Sequence, residues 1–208
     1  MVKSGLDPKI IDEGGVPRVS QYRLAAHLGT AFFLYSNMLY NGLRIVLPSK
    51  VGEPHIQPRF IPYFLTGIIG LTAISGAFVA GLDAGLIYDT FPLMGGKIVP
   101  SDALVLKPTW KNIFENPSCV QFVHRSLGIS TFASIMVSWM YCRRRNLPRS
   151  LMVPLNFIAG ISVAQVCMGI GTLLYMVPIS LAALHQAGSL TLLSASIWFL
   201  ERVRSFKK

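Results

Sequence analysis

The sequence predicts an all-α membrane protein with five transmembrane helices, the last four of which form a four-helix bundle. Hydrophobic residues make up 52% of the 208 residues and charged residues only 13%, whereas soluble domains carry about 25% charged residues. The 19 Lys and Arg residues gather in the links between long apolar runs, as in multi-span membrane proteins. This composition excludes intrinsic disorder and argues against a nucleic-acid-binding face.

Five runs are long enough to cross the hydrocarbon core, which takes about 20 apolar residues in a helix. They cover residues 23–47, 61–82, 121–141, 151–175 and 179–200. These runs are too long for barrel strands and lack the two-residue alternation of such strands. Residues 1–22 are then a polar outer segment, and residues 201–208 are a basic inner tail.

The basic residues predict the orientation of the spans. Most lie in the links after the first, third and fifth spans: Lys50, Arg59, Arg143, Arg144, Arg145, Arg149, Arg202, Arg204, Lys207 and Lys208. Such links face the cytoplasm or the mitochondrial matrix, so the amino terminus is expected outside and the carboxyl terminus inside. The long loop 83–120 is then on the outer side, where it is either a functional cover or a solvated connector. Within it, TWKNIFENP predicts a short interfacial helix.

Three of the four histidines are expected at similar depth in one leaflet. His27, His124 and His185 lie near the starts of the first, third and fifth spans, whereas His55 lies in an inner loop. An ionisable residue inside a span is costly and suggests a function; the alternative is a hydrogen bond at the level of the lipid headgroups. Small residues follow each histidine by one turn, which leaves room either for a flat ligand or for close helix packing.

The residue types favour heme over other metal centres. Zinc in structural sites prefers thiolates, and the cysteines lie elsewhere without paired spacing, at Cys119, Cys142 and Cys167. A di-iron site uses Glu-x-x-His pairs, which the spans lack. Imidazoles on facing helices suit heme iron. Arg125 is placed either to bind a heme propionate or to reach lipid headgroups. The predicted metal ligands are His124, His185 and His27.

A weak internal repeat suggests that the first span belongs to a different bundle. LAAHLG opens the first span and LAALHQAG opens the fifth, and duplicated bundles place sites at equivalent positions. Residues 61–200 are therefore expected to form a complete four-helix heme-binding bundle. Residues 23–47 are expected to belong to an amino-terminal bundle whose other helices are absent from the sequence.

Four segments resemble the carboxyl-terminal part of the mitochondrial heme A synthases, a family of cytochrome c oxidase assembly. They are RVSQYRLAAHLG, AFVAGLDAGLIYDTFPLMGGKIVP, NIFENPSCVQFVHRSLG and LAALHQAGSL. The resemblance covers nearly the whole chain, and the joint pattern of GLDAG, FPxMG, NPSxVQFxHR and LHQxG is far more specific than any one motif. It implies a family fold of two pseudo-symmetric four-helix bundles, with this chain supplying spans four to eight.

The resemblance also implies roles for single residues. His124 and His185 match the pair that ligates heme b in the second bundle. His27 matches one of two histidines associated with the substrate heme. The partner of His27, and an acidic residue that the family uses in catalysis, have no counterpart in the sequence. The catalytic residue is therefore unknown, and the chain alone is expected to be incomplete as an enzyme.

The family oxidises a methyl group of heme O to the formyl group of heme A by successive hydroxylation and loss of water. The resemblance thus implies an oxidoreductase of the mitochondrial inner membrane, with its amino terminus in the intermembrane space and its carboxyl terminus in the matrix. The implied partners are membrane lipid, heme O and a ferredoxin-type electron donor, with heme O synthase and a second copy of the chain as further candidates. A transmembrane b-type electron-transfer cytochrome and a non-catalytic membrane assembly factor stay open as alternatives.

Overall fold

A computed structural model describes residues 19–48, 50–51 and 60–207 of the chain. The regular secondary structure of this part of the chain is helical apart from one pair of two-residue strands. The predicted outer segment lies almost wholly outside the described residues, and so does His55.

Five helices of 21 to 28 residues dominate the described part of the chain. They are α1 (Gln21–Val46), α2 (Ile61–Gly81), α4 (Pro117–Arg144), α5 (Arg149–Leu174) and α6 (Ile179–Arg204). A short helix, α3 (Asn112–Glu115), and two 3₁₀ turns (Ala84–Leu86 and Thr109–Lys111) lie in the long loop. Strands β1 (Lys50–Val51) and β2 (Phe206–Lys207) pair in parallel. Each long helix coincides in position with one predicted span.

Two of these helices, α2 and α5, are long and apolar enough to cross a membrane by length and composition. The other three each carry a histidine together with further polar side chains, which lower the mean hydropathy of the helix. Among the described helices, the two most apolar are thus the two long ones without a histidine.

Four of the long helices contact one another in cyclic order. Helix α2 contacts α4 and α6, and α5 contacts the same two helices, while α1 contacts α2 and α6. The connections from α4 to α5 and from α5 to α6 are short, and each ends in a proline, Pro148 or Pro178. Proline is favoured at the start of a helix and cannot continue the preceding one. Helices α4 and α6 therefore begin at the same end of the ring.

The buried apolar residues concentrate at the other end of the ring. They include Ile61, Leu65, Ile69, Ile135, Cys142, Leu151, Leu155, Ile158, Ile197, Phe199 and Val203. Close packing of side chains is what associates helices in lipid. The ring is thus held together at one end, which leaves the opposite end free to carry polar groups.

Arg202, near the end of α6, makes a buried ion pair within that helix and a hydrogen bond to the connection after α1. Arg202 Nε donates to Glu201 Oε2 at 2.6 Å, and both side chains are buried. Arg202 Nη1 also donates to the carbonyl of Pro48 at 3.3 Å, just before the β1–β2 pair. Polar contacts therefore stabilise this end of the ring in addition to apolar packing.

Helix α4 begins at Pro117 rather than at the predicted residue 121, because Asn116 caps it. Asn116 Oδ1 accepts from the backbone N–H groups of Ser118 and Cys119, and Pro117 occupies the first helical position, which are both favoured at helix starts. Asn116 Nδ2 donates to the carbonyl of Asp102 at 2.7 Å. One side chain thus starts the helix and attaches the long loop to it.

Candidate functional site

His124 and His185 lie about two turns from the starts of α4 and α6, at the end of the ring that carries the long loop. Both residues are half-buried. Their helices, α4 and α6, lie diagonally opposite in the ring and begin at the same end of it. The structure therefore places these two predicted site residues at the same end of the ring.

Each imidazole lies against a glycine of the neighbouring helix. A Cβ atom on Gly76 of α2 would lie 3.3 Å from His124 Cε1, and one on Gly169 of α5 would lie 3.1 Å from His185 Cε1. Both distances are shorter than ordinary van der Waals contact, so the rings approach the helix backbones in a way that glycine permits. Gly70 and Gly160 on the same two helices have no such neighbour within 4 Å, whereas Gly81 and Gly171 are crowded by Gln21 and Leu181. Glycine is thus needed at the two imidazole contacts and also at other close approaches of these helices.

The two rings differ in their hydrogen bonds. His124 Nδ1 lies 2.7 Å from the hydroxyl oxygen of Ser75 on α2. His185 Nδ1 is buried and has no hydrogen-bond partner among the described residues. A buried polar atom without a partner lowers the stability of the fold by about 1–3 kcal/mol. A ligand that bonded to this imidazole would remove that cost.

The glycine that follows His185 by one turn serves helix packing. A Cβ atom on Gly188 would overlap Nε2 of Gln165, which donates to the backbone carbonyl of His185 at 3.1 Å. Of the two roles that the sequence left open for the small residues, close packing therefore accounts for Gly188.

Arg125 binds the long loop. Its Nη1 donates to the carbonyl of Thr90 and its Nη2 to the carbonyl of Tyr88, both at 2.7 Å. Gln121 Nε2 donates to the same Tyr88 carbonyl at 2.9 Å. Arg125 Nε is buried without a partner in the described part of the chain. Contact of Arg125 with a heme propionate stays a prediction, for which this nitrogen is one available donor.

Unpaired buried atoms cluster at this end of the ring. Of the four buried side-chain nitrogen and oxygen atoms that lack a partner within the described residues, three belong to Gln121, Arg125 and His185. Native structures leave few such atoms unpaired. These atoms, on the first turns of α4 and α6, are available to donate to or accept from a further group.

A hydrogen-bonded carboxylate attaches the middle of the loop. Asp102 accepts from the hydroxyl of Ser118 at 2.6 Å and from the phenol of Tyr88 at 2.8 Å. The hydrogen bond from Ser118, assisted by the one from Tyr88, lowers the pKa of Asp102 against the opposing effect of desolvation. The hydrogen bond between Tyr88 and Asp102 raises the pKa of Tyr88. These bonds favour the interpretation of the loop as a cover over the start of α4.

His27 lies apart from the histidine pair. It is exposed on α1, and within residues 19–48, 50–51 and 60–207 no group of three or more His, Cys, Asp or Glu residues could hold a metal ion. The association of His27 with a substrate heme stays a prediction. The three cysteines are free thiols.

The short helix α3 in the long loop packs against α1 and α2 through an aromatic side chain. Phe114 of α3 lies with its ring centroid 5.5 Å from that of Phe78 on α2 and 6.3 Å from that of Tyr22 on α1. Trp110, in the same TWKNIFENP segment, is exposed. The loop thus contacts three helices on the same side as the histidine pair.

An apolar groove of about 250 Å³ lies elsewhere, between α1, α5 and α6. Its lining contains neither histidine and is formed by Leu39, Leu43, Phe157, Ile161, Thr191, Ser194, Ala195 and Trp198. The groove is therefore separate from the candidate site.

Sequence reasoning missed the residues that contact the rings from the neighbouring helices. Ser75, Gly76 and Gly169 were not singled out, although Gly76 and Gly169 each precede the last residue of their helix by five positions. This shared depth, opposite the histidines, is the signal that would have found them.

The chain is similar to curated heme A synthases over nearly its whole length. Residues 1–197 match the family model COX15-CtaA, described as cytochrome oxidase assembly protein. The chain is 47% identical over 211 residues to heme A synthase COX15 of Homo sapiens, which covers 100% of the chain and 51% of the relative. It is 42% identical over 233 residues to heme A synthase COX15 of Saccharomyces cerevisiae, covering 98% of the chain and 48% of the relative.

A further relative combines two proteins in one chain. The heme A synthase-mitochondrial ferredoxin fusion protein of Schizosaccharomyces pombe is 39% identical over 236 residues, covering 98% of the chain and 38% of the relative. The chain thus spans about half the length, or less, of these three relatives. No solved structure matches it significantly.

The attachment of the loop should weaken at acidic pH. Because the pKa of Asp102 is lowered in the folded protein, its carboxylate contributes stability that is complete above the unfolded value of about 3.9 and is lost as the pH falls through the folded value. We expect Asp102→Asn to unfold at a lower temperature than wild type at about pH 7, with a smaller difference at about pH 3.

Thermal unfolding of the detergent-purified protein measures this effect. Asp89→Asn, at an exposed position in the same loop, is the matched control and should follow the wild-type curve. A difference between Asp102→Asn and wild type that is independent of pH would contradict the role of the ionised carboxylate.

Proposed function

The chain belongs to the COX15-CtaA family of cytochrome oxidase assembly proteins, and from this premise we propose that it is the heme b-binding part of a heme A synthase. The whole protein would oxidise the methyl group of heme O to the formyl group of heme A. The observation that carries the proposal is the pair of imidazoles, His124 and His185, each held against a glycine of a neighbouring helix.

The residues fit a b-type heme in their donor chemistry and their surroundings. Two imidazoles are suitable axial donors for heme iron. Gly76 and Gly169 let each ring lie close to the neighbouring helix, and the macrocycle would lie between the two helix pairs. Arg125 has a buried, unpaired N–H that would donate to a propionate carboxylate.

Heme b bound in this way supplies one-electron transfer. His124 and His185 would together hold this heme, and the chemistry it would supply there is electron transfer. The role of this site is therefore electron relay. The loop that Arg125 and Asp102 attach would exclude water from the outer end of the bundle.

We place the substrate, heme O, on the side of the chain that carries His27. His27 is exposed on α1, the helix that contacts the ring only through α2 and α6. An exposed imidazole on such a face is available to another part of the whole protein. In this proposal His27 binds the substrate, and His124 and His185 hold the heme that relays electrons.

The proposed topology has all five long helices crossing the mitochondrial inner membrane, with α2, α4, α5 and α6 as a four-helix bundle. Its support is the basic end of the ring, where arginines lie over aromatic rings, as expected at a membrane interface. Arg143 lies 5.1 Å from the Trp139 ring centroid, and Arg145 lies 5.3 Å from that of Tyr141. This end would face the matrix, and the long loop the intermembrane space.

A ferredoxin-type protein is the proposed electron donor, and the fusion protein of Schizosaccharomyces pombe supports this choice. Heme O synthase and a second copy of the chain are further candidate partners. A b-type electron-transfer cytochrome and a non-catalytic assembly factor are the alternative functions, and the two experiments below separate them.

The first experiment measures heme retention. We expect His124→Ala or His185→Ala to lose the b-type absorption band of the detergent-purified chain, because each removes an axial donor. His27→Ala should keep the band and serves as the matched histidine control. Equal retention in all three variants would contradict the proposed ligands, and absence of the band from the wild type would favour an assembly factor.

The second experiment measures the reaction. The chain is expressed in cells that lack heme A synthase, together with the part of the human relative that it does not cover, so that the full family length is present. Chromatography of extracted hemes should show heme A, and His27→Ala should abolish heme A while the b-type band remains. If the wild type gives a b-type band but no heme A, the cytochrome alternative is favoured.

A further inference from the structure

The hydroxyl of Ser75 has two close neighbours, and its single proton decides the state of His124. Ser75 Oγ lies 2.7 Å from the backbone carbonyl oxygen of Thr72 and 2.7 Å from His124 Nδ1. A carbonyl oxygen only accepts hydrogen bonds, so the Ser75 proton goes to Thr72. The bond to the imidazole must then run from a protonated Nδ1 to the Ser75 oxygen.

A neutral imidazole carries one ring proton. With Nδ1 protonated, Nε2 of His124 keeps its lone pair and is the nitrogen free to ligate a metal. The contact of the ring with Gly76, directly after Ser75, restrains the same side of the imidazole. Ser75 and Gly76 together therefore determine both the tautomer and the direction of the ring.

The polar contacts continue one turn deeper into the bundle. Thr72 Oγ1 donates to the carbonyl of Ile68 at 2.8 Å and lies 2.7 Å from Thr131 Oγ1 on α4. This second bridge joins the same two helices that Ser75 and His124 join. The position of the Ser75 hydroxyl is thus supported from both helices.

His185 has no corresponding support. Its Nδ1 has no partner within the described residues, although its ring contacts Gly169 as the His124 ring contacts Gly76. The two histidines are therefore equivalent in packing and inequivalent in hydrogen bonding.

We propose that Ser75 is a positioning residue that acts through His124: it holds the Nδ1-protonated tautomer, presents Nε2 to iron and makes His124 the more basic of the two ligands. A hydrogen bond from the distal N–H of a ligating histidine raises the basicity of the ligand and typically changes metal affinity 10- to 100-fold. A more basic ligand stabilises ferric over ferrous iron, so Ser75 lowers the reduction potential of the site. This inference rests on the proposed heme site.

The test compares Ser75→Ala with Ser75→Thr and with Ser196→Ala. Ser75→Thr keeps a hydroxyl. Ser196 is a buried serine whose hydroxyl also donates to the carbonyl three residues earlier, so it controls for the loss of such a bond. Heme content and a spectroscopic redox titration of the purified protein are the readouts.

We expect Ser75→Ala to bind heme b about 10- to 100-fold more weakly and to have a higher reduction potential than wild type. Ser75→Thr and Ser196→Ala should remain near wild type in both respects. If the wild type binds no heme, the proposed function fails. If the wild type binds heme and Ser75→Ala leaves both affinity and potential unchanged, this inference alone is wrong.

A second measurement needs neither heme nor a substitution of Ser75. Nitrogen chemical shifts of ¹⁵N-histidine-labelled apoprotein report the tautomer of each ring, and His124→Ala identifies the signals of His124. We expect Nδ1 of His124 to carry the proton. A proton on Nε2 instead would overturn the assignment, even if Ser75→Ala fails to fold.

Discussion

The close approach of two imidazoles to the backbones of neighbouring helices is the constraint on which the rest of the structure depends. Each ring lies where a Cβ atom on Gly76 or Gly169 would crowd it, so glycine at these two positions permits the close approach of α2 to α4 and of α5 to α6. The large apolar side chains collect at the opposite end of the ring. That packing holds the helices in place while the histidine end remains polar.

The long loop and the start of α4 form one structural unit with this polar end. Asn116 begins the helix and binds the loop, and Arg125, one residue after His124, binds the loop again from the third turn. The atoms left unpaired there belong to Gln121, Arg125 and His185. The outer end therefore combines hydrogen bonds between the loop and α4 with a small set of buried groups that lack partners within the described residues.

Much of the helical organisation followed from the sequence, because length and hydropathy determine where an apolar helix can lie. The depth of His124 and His185 followed as well, since depth is position along a helix.

Three features did not follow from the sequence. The start of α4 at Pro117 depends on the local cap by Asn116. The contacts of Ser75 and Gly76 with His124 depend on which helix is the neighbour and on how it is rotated. Gly188 packs against Gln165. A small residue in the sequence indicates a close contact but does not indicate which group makes it. The family resemblance drawn from four short motifs was confirmed by the match over residues 1–197.

Low-temperature electron paramagnetic resonance of the ferric protein, loaded with one equivalent of heme b, tests the histidine pair most directly. Two axial imidazoles give low-spin ferric iron, so a single low-spin signal is expected, and it should disappear in His124→Ala and in His185→Ala. A high-spin signal from the wild-type protein, or a low-spin signal that survives both substitutions, would show that these two histidines do not hold the iron together.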